Sequence, residues 1–324
     1  MANIIPTEHA LESAAAVIVG GGVAAIPTET VYGLAGDAAN GDAVARIFEV
    51  KRRPRFNPLI AHVADRAMAD RLALFDPLSE RLAQAFWPGP LTLVLARREQ
   101  APLHELVTAG LDTVALRMPL GFAHNLIARL GRPLAAPSAN SSGRVSGTSA
   151  EAVCYDIGQR IDLIIDGGRT PVGLESTIVK VEGDRVRLLR PGGVAAERIE
   201  EVIGQPLLRH ISAGIEAPGQ MQSHYAPRAG VRLNAQIVEE REALLAFGAR
   251  RIEGVDHAVA VLNLSPEGDL REAAKNFFAH LQALDMLGVH AIAVEPVPEA
   301  GLGEAINDRL RRGAAPRPLF GEEA

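Results

Sequence analysis

The chain has 324 residues, 48% of them hydrophobic and 22% charged, and none of its apolar runs reaches the roughly 18 residues that a membrane-spanning helix needs. This profile predicts a cytoplasmic globular protein of two domains. The formal net charge of −6 argues against a protein that grips nucleic acid through bulk positive charge. A single cysteine excludes an intrachain disulfide.

Hydrophobic periodicity predicts that helices alternate with short apolar strands over the first two thirds of the chain. The predicted helices are residues 7–20, 41–52, 77–86, 121–130, 149–157 and 195–203. The predicted strands are residues 23–26, 59–63, 91–95, 113–117, 134–136 and 163–165, with a hairpin of 176–181 and 185–189. A hairpin among alternating units predicts an α/β fold with a mixed sheet.

A change in composition predicts the domain boundary. Between residues 204 and 228, Gly, Pro and Ser recur at short intervals without a period, which is typical of an extended linker. The larger domain would then be residues 1–203 and the smaller one residues 229–324. In the smaller domain we predict strands at 231–234, 258–264 and 290–294 and helices at 236–250, 270–287 and 302–312. This alternation predicts a Rossmann-like parallel α/β unit.

Several common site signatures are missing. The sequence has no G-x-x-x-x-G-K-[ST] phosphate loop and no G-x-G-x-x-G between a strand and a helix. It also lacks C-x-x-C and H-E-x-x-H, and its nine histidines are scattered. We therefore expect no metal site built from protein side chains, and any nucleotide chemistry must use another scaffold.

The stretch KRRPR places four basic residues in five positions at the end of the second predicted helix. Lys51 continues the apolar stripe of that helix, which predicts that it points inward. The proline after Arg53 favours an extended turn, which would direct Arg53 and Asn57 into a loop. Solvated charge at a helix end explains Arg52 and Arg55 well. We interpret Lys51 and Arg53 as functional.

Polar residues follow several predicted strands. Thr28, Thr30 and Tyr32 belong to the loop after the first strand, where a turn that caps its own backbone is an equally good interpretation of Thr28. Comparable positions near other strand ends hold Arg117, Ser138, Asn140, Ser176, Thr177 and Arg190. Ligands of α/β sheets usually bind at strand ends. Hydroxyl, amide and guanidinium groups there predict a polar cleft for an anionic, hydroxyl-bearing ligand.

The order of these motifs resembles one family. PTETVYGL, K-R-R-P followed by NPL and His62, WPGPLT, APSAN and ESTIV occur in that order, and RPGG and HYAP continue the match. Together they resemble the YrdC-like threonylcarbamoyl-AMP synthases over residues 26–227. The C-terminal unit is similar, by position and pattern, to the Sua-type domain of the family's long, two-domain form.

The resemblance implies an activity. Family members condense L-threonine, bicarbonate and ATP to threonylcarbamoyl-adenylate and pyrophosphate. A separate transferase uses the product to modify the tRNA adenosine beside the anticodon, so tRNA would be only an indirect partner. Mg²⁺ is expected with ATP. No covalent enzyme intermediate is required, and positioning with electrostatic stabilisation should dominate.

The resemblance also assigns residues to the two substrates. The threonine-binding residues would be Thr30, His62, Arg117, Ser138 and Ser176. The ATP-binding residues would be Lys51, Arg53, Asn57, Thr113, Asn140, Thr148, Arg190 and Tyr225, with Lys51 and Arg53 catalytic. The chain departs from the family pattern in the segment that contains Thr148. After SANSSG it reads RVSGT, whereas family members often have prolines flanking the serine.

Alternatives remain for two residues and for the function. His62 at the end of an apolar strand is also typical of a hydrogen-bonded core histidine, and Tyr225 could be a tether, a lid or both. The resemblance also implies a twisted sheet with a concave basic groove, which an RNA-binding module could use, although the acidic balance of the chain disfavours this alternative. A carbamoyl-transfer maturation domain could use the same scaffold, but no acylphosphatase-like segment or zinc-finger cysteines occur upstream.

Overall fold

The computed structural model describes residues 2–209 and 214–316. The chain divides into two compact units, one of Met1–Ser142 and Ser146–Gln220 and the other of Gly143–Val145 and Met221–Ala324. Residues of the predicted linker up to Gln220 thus group with the first unit. In the described residues, no helix combines the length and the apolar character that crossing a bilayer requires.

The first unit is a mixed α/β fold, as predicted. Its helices are α1 Leu11–Val19, α2 Gly41–Lys51, α3 Arg66–Leu72, α4 Pro77–Phe86, α5 Glu105–Thr108, α6 Phe122–Leu130, α7 Ala150–Ile157 and α8 Ala196–Ile203. Its strands are β1 Asn3–Pro6, β2 Ala24–Ile26, β3 Gly33–Asp37, β4 Ile60–His62, β5 Leu91–Ala96, β6 Thr113–Arg117, β7 Leu134–Ala135, β8 Leu163–Asp166, β9 Thr177–Glu182 and β10 Arg185–Arg190.

These strands form one mixed sheet in the order β1-β8-β2-β3-β7-β4-β6-β5-β9-β10. The pairs β4 with β6 and β5 with β9 are parallel, whereas β5 with β6 and the hairpin of β9 with β10 are antiparallel. The predicted mixed sheet and its hairpin are confirmed.

The second unit has its own sheet. Its described elements are β11 Gly230–Arg232, β12 Glu242–Ala246, β13 Val261–Asn263, α9 Leu270–Asp285, β14 Ala291–Val294 and α10 Leu302–Ala314. The strands are all parallel, in the order β11-β14-β12-β13. The predicted parallel α/β class is confirmed.

The predicted helix at 236–250 is wrong. Residues in the middle of this range form β12, which lies between β14 and β13 and is buried throughout. A central parallel strand is covered on both faces and reads as a continuous apolar run. The run Ala243–Ala246 consists of alanine and leucine, which also favour helices, so local propensity pointed to the wrong element.

A second difference lies in PTETVYGLAGD, where β3 occupies residues expected to be a loop. Its five residues are buried, and its two glycines and one alanine are poor strand formers. A Cβ at Gly36 would lie 3.2 Å from Ile47 of α2 and 3.4 Å from Ala43 of the same helix, so the close approach of strand and helix selects glycine. The short elements β1, α3 and α5 were not predicted either.

Alternation along β4, β5, β6 and β9 gives the sheet two faces. Leu93, Leu116 and Val179 point into the main hydrophobic core. Their neighbours point to the other side, hereafter the second face, where a smaller apolar cluster is formed by Ile60, Val94, Ala115, Ile178, Leu189 and Ala217. Polar residues two positions away from this cluster along their strands share the second face.

Candidate functional site

The second face gathers polar residues from several strand ends. His62 and Arg117 are register partners on the adjacent parallel strands β4 and β6. The Ser176 and Thr92 hydroxyls lie 2.7 Å apart. Arg190 donates through Nη2 to the Ser176 carbonyl oxygen at 2.8 Å and to its Oγ at 3.1 Å. Four of these residues were predicted from sequence, and the structure brings them to one side of the sheet.

Lys51 ends α2 and is buried, which confirms its predicted inward direction. Its ammonium donates to the carbonyl oxygen of Asn140 at 2.6 Å and to that of Ser138. The Ser142 amide donates to the Lys51 carbonyl oxygen at 2.8 Å. Burial, followed by repulsion from Arg53, holds the pKa of Lys51 well below 10.5. This cation is therefore held by neutral carbonyl groups and is easier to deprotonate than an ordinary lysine.

Arg53 turns into the loop after α2. Its Nε donates to the Asn57 carbonyl oxygen at 3.0 Å, and its Nη2 donates to Asn57 Oδ1 at 2.6 Å. Arg53 and Asn57 are buried, whereas Arg52 and Arg55 are exposed. The basic cluster thus divides between buried and solvated positions as the sequence predicted.

Arg117 is buried at the end of β6 beside a carboxylate that sequence reasoning missed. Its Nη2 lies 2.7 Å from Glu29 Oε1, and both side chains are less than a tenth exposed. Its Nε donates to the Gly89 carbonyl oxygen at 3.2 Å, and the Leu120 amide donates to Glu29 Oε2 at 3.1 Å. Within residues 2–209 and 214–316, no acceptor bonds to Arg117 Nη1. That nitrogen is the donor available to an incoming carboxylate.

His62 is neutral at physiological pH. Burial, followed by the charge of Arg117, lowers the pKa of His62 to about 3. In the described part of the chain its buried Nδ1 has no hydrogen-bond partner. An unpaired buried nitrogen is costly, which favours a ligand contact over the interpretation as a satisfied core histidine.

The loop between β2 and β3 settles the question about Thr28. Its Oγ1 donates to the Val31 carbonyl oxygen at 2.7 Å and accepts from the Thr30 amide at 3.1 Å. The Thr28 and Thr30 hydroxyls are 2.8 Å apart. Thr28 is therefore a turn-capping residue, and its turn fixes the side chain of Thr30.

The remaining residues assigned to ATP are spread more widely. Thr113 lies at the amino end of β6, about 13 Å along the strand from Arg117 at the usual rise per residue, but on the same face. Thr148 is buried and accepts a backbone hydrogen bond from Thr170. Ser146 next to it donates to the buried carboxylate of Glu175 at 2.5 Å. An elongated ligand would be needed to reach both ends of this set.

Tyr225 belongs to the second unit. Its ring is buried there, with the Phe278 ring centroid 5.7 Å away and the Arg309 guanidinium carbon 4.8 Å from its own centroid. Its φ of 60° is a left-handed conformation that non-glycine residues rarely adopt. Its contact with ATP stays a prediction.

Sequence reasoning missed five polar residues that contact the predicted set or its supporting loops. Glu29 and Glu175 occur inside the motifs PTETVYGL and ESTIV, and a carboxylate within a buried, hydroxyl-rich motif is itself a signal because it needs a donor. Nothing in the sequence indicates the other contacts. The five residues are Glu29, Thr92, Asp156, Arg160 and Glu175.

Asp156 of α7 and Arg160 of the turn after it support the loop that Lys51 contacts. Asp156 Oδ2 accepts from the Ser141 amide at 2.7 Å. Arg160 donates to Ser141 Oγ at 2.6 Å and to the Val50 carbonyl oxygen. These contacts join the end of α2 to the loop after β7, so Lys51 and its acceptors are fixed relative to one another.

No group of three or more His, Cys, Asp or Glu in the described residues is arranged to hold a metal ion. The two buried carboxylates near the predicted set are engaged, Glu29 by Arg117 and Glu175 by Ser146. A divalent cation at this site would therefore depend on oxygens of its ligand, such as those of a polyphosphate.

Comparisons with known proteins agree over nearly the whole chain. A family model described as "Telomere recombination" (Sua5, YciO and YrdC) matches residues 16–192, and one described as "Threonylcarbamoyl-AMP synthase, C-terminal domain" matches residues 194–315. Threonylcarbamoyl-AMP synthase of Pyrococcus abyssi is 42% identical over 96% of this chain and 95% of its own length. The Bacillus subtilis protein of the same name is 40% identical over 95% of this chain and 94% of its own length.

A solved structure shows the same similarity in three dimensions. The crystal structure of P. abyssi Sua5 complexed with L-threonine aligns with a TM-score of 0.88 at 39% sequence identity. The alignment covers 96% of this chain and 97% of the other. That protein binds L-threonine.

Proposed function

This chain belongs to the Sua5/YrdC family of threonylcarbamoyl-AMP synthases, and from that membership we propose that it condenses L-threonine, bicarbonate and ATP to L-threonylcarbamoyl-AMP and pyrophosphate. In class terms it is a nucleotidyltransferase. The product then serves threonylcarbamoyl transfer to the tRNA adenosine next to the anticodon, by a separate transferase. We expect the enzyme in the cytoplasm and tRNA to be only an indirect partner.

The reaction has two bond-forming steps. The threonine amine attacks the carbon of carbon dioxide or bicarbonate and forms a carbamate, which releases a proton in the first case and water in the second. A carbamate oxygen then attacks the α-phosphorus of ATP, and pyrophosphate leaves. Carbamate, carboxylate and triphosphate are all anionic. Two unit charges at 4 Å interact by about 4 kcal/mol at an effective dielectric near 20, so a few fixed cations can offset their repulsion.

The arrangement around Arg117 supports the threonine side of the proposal. A guanidinium binds a carboxylate with charge-assisted hydrogen bonds, and Arg117 has Nη1 available for that purpose. The neutral imidazole of His62 lies on the next strand, with Nδ1 unpaired among the described residues. A neutral imidazole can donate a hydrogen bond to the hydroxyl or amine of threonine, or accept one from it. Thr30, Ser138 and Ser176 complete the proposed threonine set.

The nucleotide side rests on cations near the end of α2 and on the second face. We assign to it Lys51, Arg53, Asn57, Thr113, Asn140, Thr148, Arg190 and Tyr225. Lys51 and Arg53 would stabilise charge that develops on the carbamate and the α-phosphate. Mg²⁺ would accompany the triphosphate and draw its ligands from phosphate oxygens and water.

One observation carries the proposal most directly: on one sheet face, the buried Arg117 guanidinium and the neutral His62 imidazole each have a nitrogen with no hydrogen-bond partner among the described residues. An RNA-binding surface would instead present exposed cations to a phosphate backbone. Lys51, Arg53 and Arg117 are buried, which suits small anions better. The relatives that match nearly the whole chain are named as synthases, not as RNA-binding or maturation proteins.

The test is release of pyrophosphate from ATP by the full-length protein, with threonine and bicarbonate omitted in turn. We expect release only when both are present. Release that requires neither cosubstrate contradicts the proposal. Salt-sensitive tRNA binding without threonine-dependent ATP turnover favours the RNA-binding alternative.

A further inference from the structure

Glu29 is a buried carboxylate with two partners and no substrate role assigned to it so far. One oxygen, Oε1, lies 2.7 Å from Arg117 Nη2, and the other, Oε2, accepts from the Leu120 amide at 3.1 Å. The residue is only 9% exposed, although its neighbours Thr28 and Thr30 form a self-contained hydroxyl turn. Because a buried carboxylate is costly to desolvate, its persistence here requires a compensating partner.

Glu29 and Arg117 each compensate for the burial of the other's charge. Arg117 is also buried, and in the described chain Glu29 is the acidic group that pairs with it. The Gly89 carbonyl oxygen accepts from Nε on one side of the guanidinium, and Glu29 contacts Nη2. The guanidinium is therefore fixed by a hydrogen bond at Nε and by an ion pair at Nη2 that lacks hydrogen-bond geometry, whereas Nη1 has no acceptor among the described residues.

We propose that Glu29 is a positioning residue that holds the Arg117 guanidinium in the orientation that binds the carboxylate of the amino-acid substrate. The inference rests on the proposed function. Glu29 acts through Arg117 and does not itself take part in bond formation. It makes the carboxylate clamp rigid before the substrate arrives, which reduces the entropy that binding would otherwise cost.

Two effects of Glu29 oppose each other. Its negative charge lies near the position that the substrate carboxylate would take, which weakens binding. Its contact with Nη2 orders a long, flexible side chain, which strengthens binding. Orientation should dominate, because a charge-assisted hydrogen bond depends steeply on geometry.

Glu29→Gln shows which of these two effects is larger, because it removes both and they change threonine binding in opposite directions. Both carboxylate oxygens face donors, the Leu120 amide and Arg117 Nη2. An amide has one oxygen and one NH₂ group, so in either orientation one donor faces another donor. The substitution keeps the size of the side chain and removes one of the two contacts together with the charge.

The readout is the preference for a substrate carboxylate. Threonine- and bicarbonate-dependent pyrophosphate release is measured with L-threonine and with L-threoninamide, in which a neutral amide replaces the carboxylate. The kcat/KM for L-threonine divided by that for L-threoninamide measures how strongly Arg117 favours a substrate carboxylate. We expect Glu29→Gln to lower this ratio by at least about tenfold, to raise the KM for threonine, and to leave the KM for ATP within about twofold.

Glu242→Gln is the matched control. Glu242 is buried in the second unit and, like Glu29, has an arginine and a backbone amide as partners. Its Oε2 accepts from Arg232 Nη2 at 2.6 Å and from the Glu239 amide at 2.8 Å, and its Oε1 accepts from Arg232 Nε at 2.9 Å. It lies outside the proposed site. A loss of stability alone would affect both variants, but it would not change the ratio between the two substrates.

The inference is overturned if Glu29→Gln leaves the ratio unchanged, if the KM for threonine falls, or if Glu242→Gln changes the ratio equally. Should Glu29→Gln not fold, Glu29→Asp keeps the charge but withdraws it by one methylene, and an unchanged ratio in that variant also overturns the inference. A wild-type protein without threonine-dependent turnover refutes the proposed function itself. The two failures are therefore distinguishable.

Discussion

The end of α2 and the end of β6 each bury a cation, but the two cations have different neighbours. Lys51 donates to the carbonyl oxygens of Ser138 and Asn140, which are neutral acceptors. Arg117 forms an ion pair with Glu29. Lysine is a compact charge whose pKa shifts when it is buried, whereas a guanidinium stays charged. The α2 site therefore holds a titratable charge, and the β6 site holds a permanent, oriented one.

This difference suits different tasks. A cation without a carboxylate partner exerts its full charge on incoming anions, which is useful where phosphate and carbamate react. A paired and oriented guanidinium offers directional donors, which is useful for recognising one carboxylate. We therefore expect changes at Lys51 to affect turnover and changes at Arg117 to affect threonine affinity.

The largest expected effect is that of Lys51→Ala. Loss of a preorganised cation at the reacting groups should lower kcat by about 100- to 1000-fold, while the KM for threonine changes much less. Steady-state pyrophosphate release measures both constants. Lys275→Ala removes an exposed lysine of the second unit and is the control. A Lys51→Ala variant with normal kcat and a raised KM for threonine would reverse the assignment.

Arg117→Ala should change the KM for threonine more than kcat. Loss of the clamp is expected to raise the KM for threonine by about 10- to 100-fold with a smaller change in the KM for ATP. Arg232→Ala, which removes a guanidinium paired with the buried Glu242 of the second unit, controls for the loss of an ion pair. Equal rises in both KM values would show that Arg117 does not distinguish the substrates.

The pH profile should follow Lys51 and not His62. Because the pKa of Lys51 lies below 10.5, the charged form is lost as the pH rises through that lowered value, and kcat should fall there by about tenfold or more. In Lys51→Arg, any residual activity should lack this fall because arginine stays protonated. The pKa of His62 is about 3, so no inflection from His62 is expected near its ordinary value of 6.5. A wild-type profile that stays flat up to the ordinary lysine pKa would contradict the role of Lys51.

The smallest effect is expected at Arg52, between Lys51 and Arg53. Arg52 is exposed and caps α2 with a φ of 52°. Arg52→Gly relieves the left-handed strain and should raise the unfolding free energy by up to about 1 kcal/mol, with kinetic constants unchanged within about twofold. Thermal unfolding and the pyrophosphate assay test this together. A kinetic loss like that of Lys51→Ala would mean that the cluster acts as one patch.

How much the sequence could predict depended on how local each feature was. Lys51 lay on the apolar stripe of its own helix, so its burial followed from spacing within eleven residues. Arg117 and Arg190 were predicted near strand ends, and each does end its strand. By contrast, β12 was misread because an apolar run of alanine and leucine suits a buried strand and a helix equally. Its sheet neighbours, distant in sequence, decided the outcome.

The partners of the site residues were the least predictable part. Glu29 is separated from Arg117 by 88 positions, and no pattern within either segment indicates that they pair. The same holds for Ser146 with Glu175 and for Arg160 with Ser141. Types of side chain at strand ends could be read from the sequence, but their pairing depends on strand order in the ten-stranded sheet.

The central claim is that a carbamate oxygen of threonine, and not its carboxylate, attacks ATP while Arg117 holds the carboxylate. Mass spectrometry of the adenylate formed from ATP, threonine and ¹³C-labelled bicarbonate tests this most directly. The account predicts a threonylcarbamoyl-adenylate that carries the label and is heavier by about one mass unit than the product of unlabelled bicarbonate. An unlabelled threonyl-adenylate, formed through the carboxylate, would contradict it.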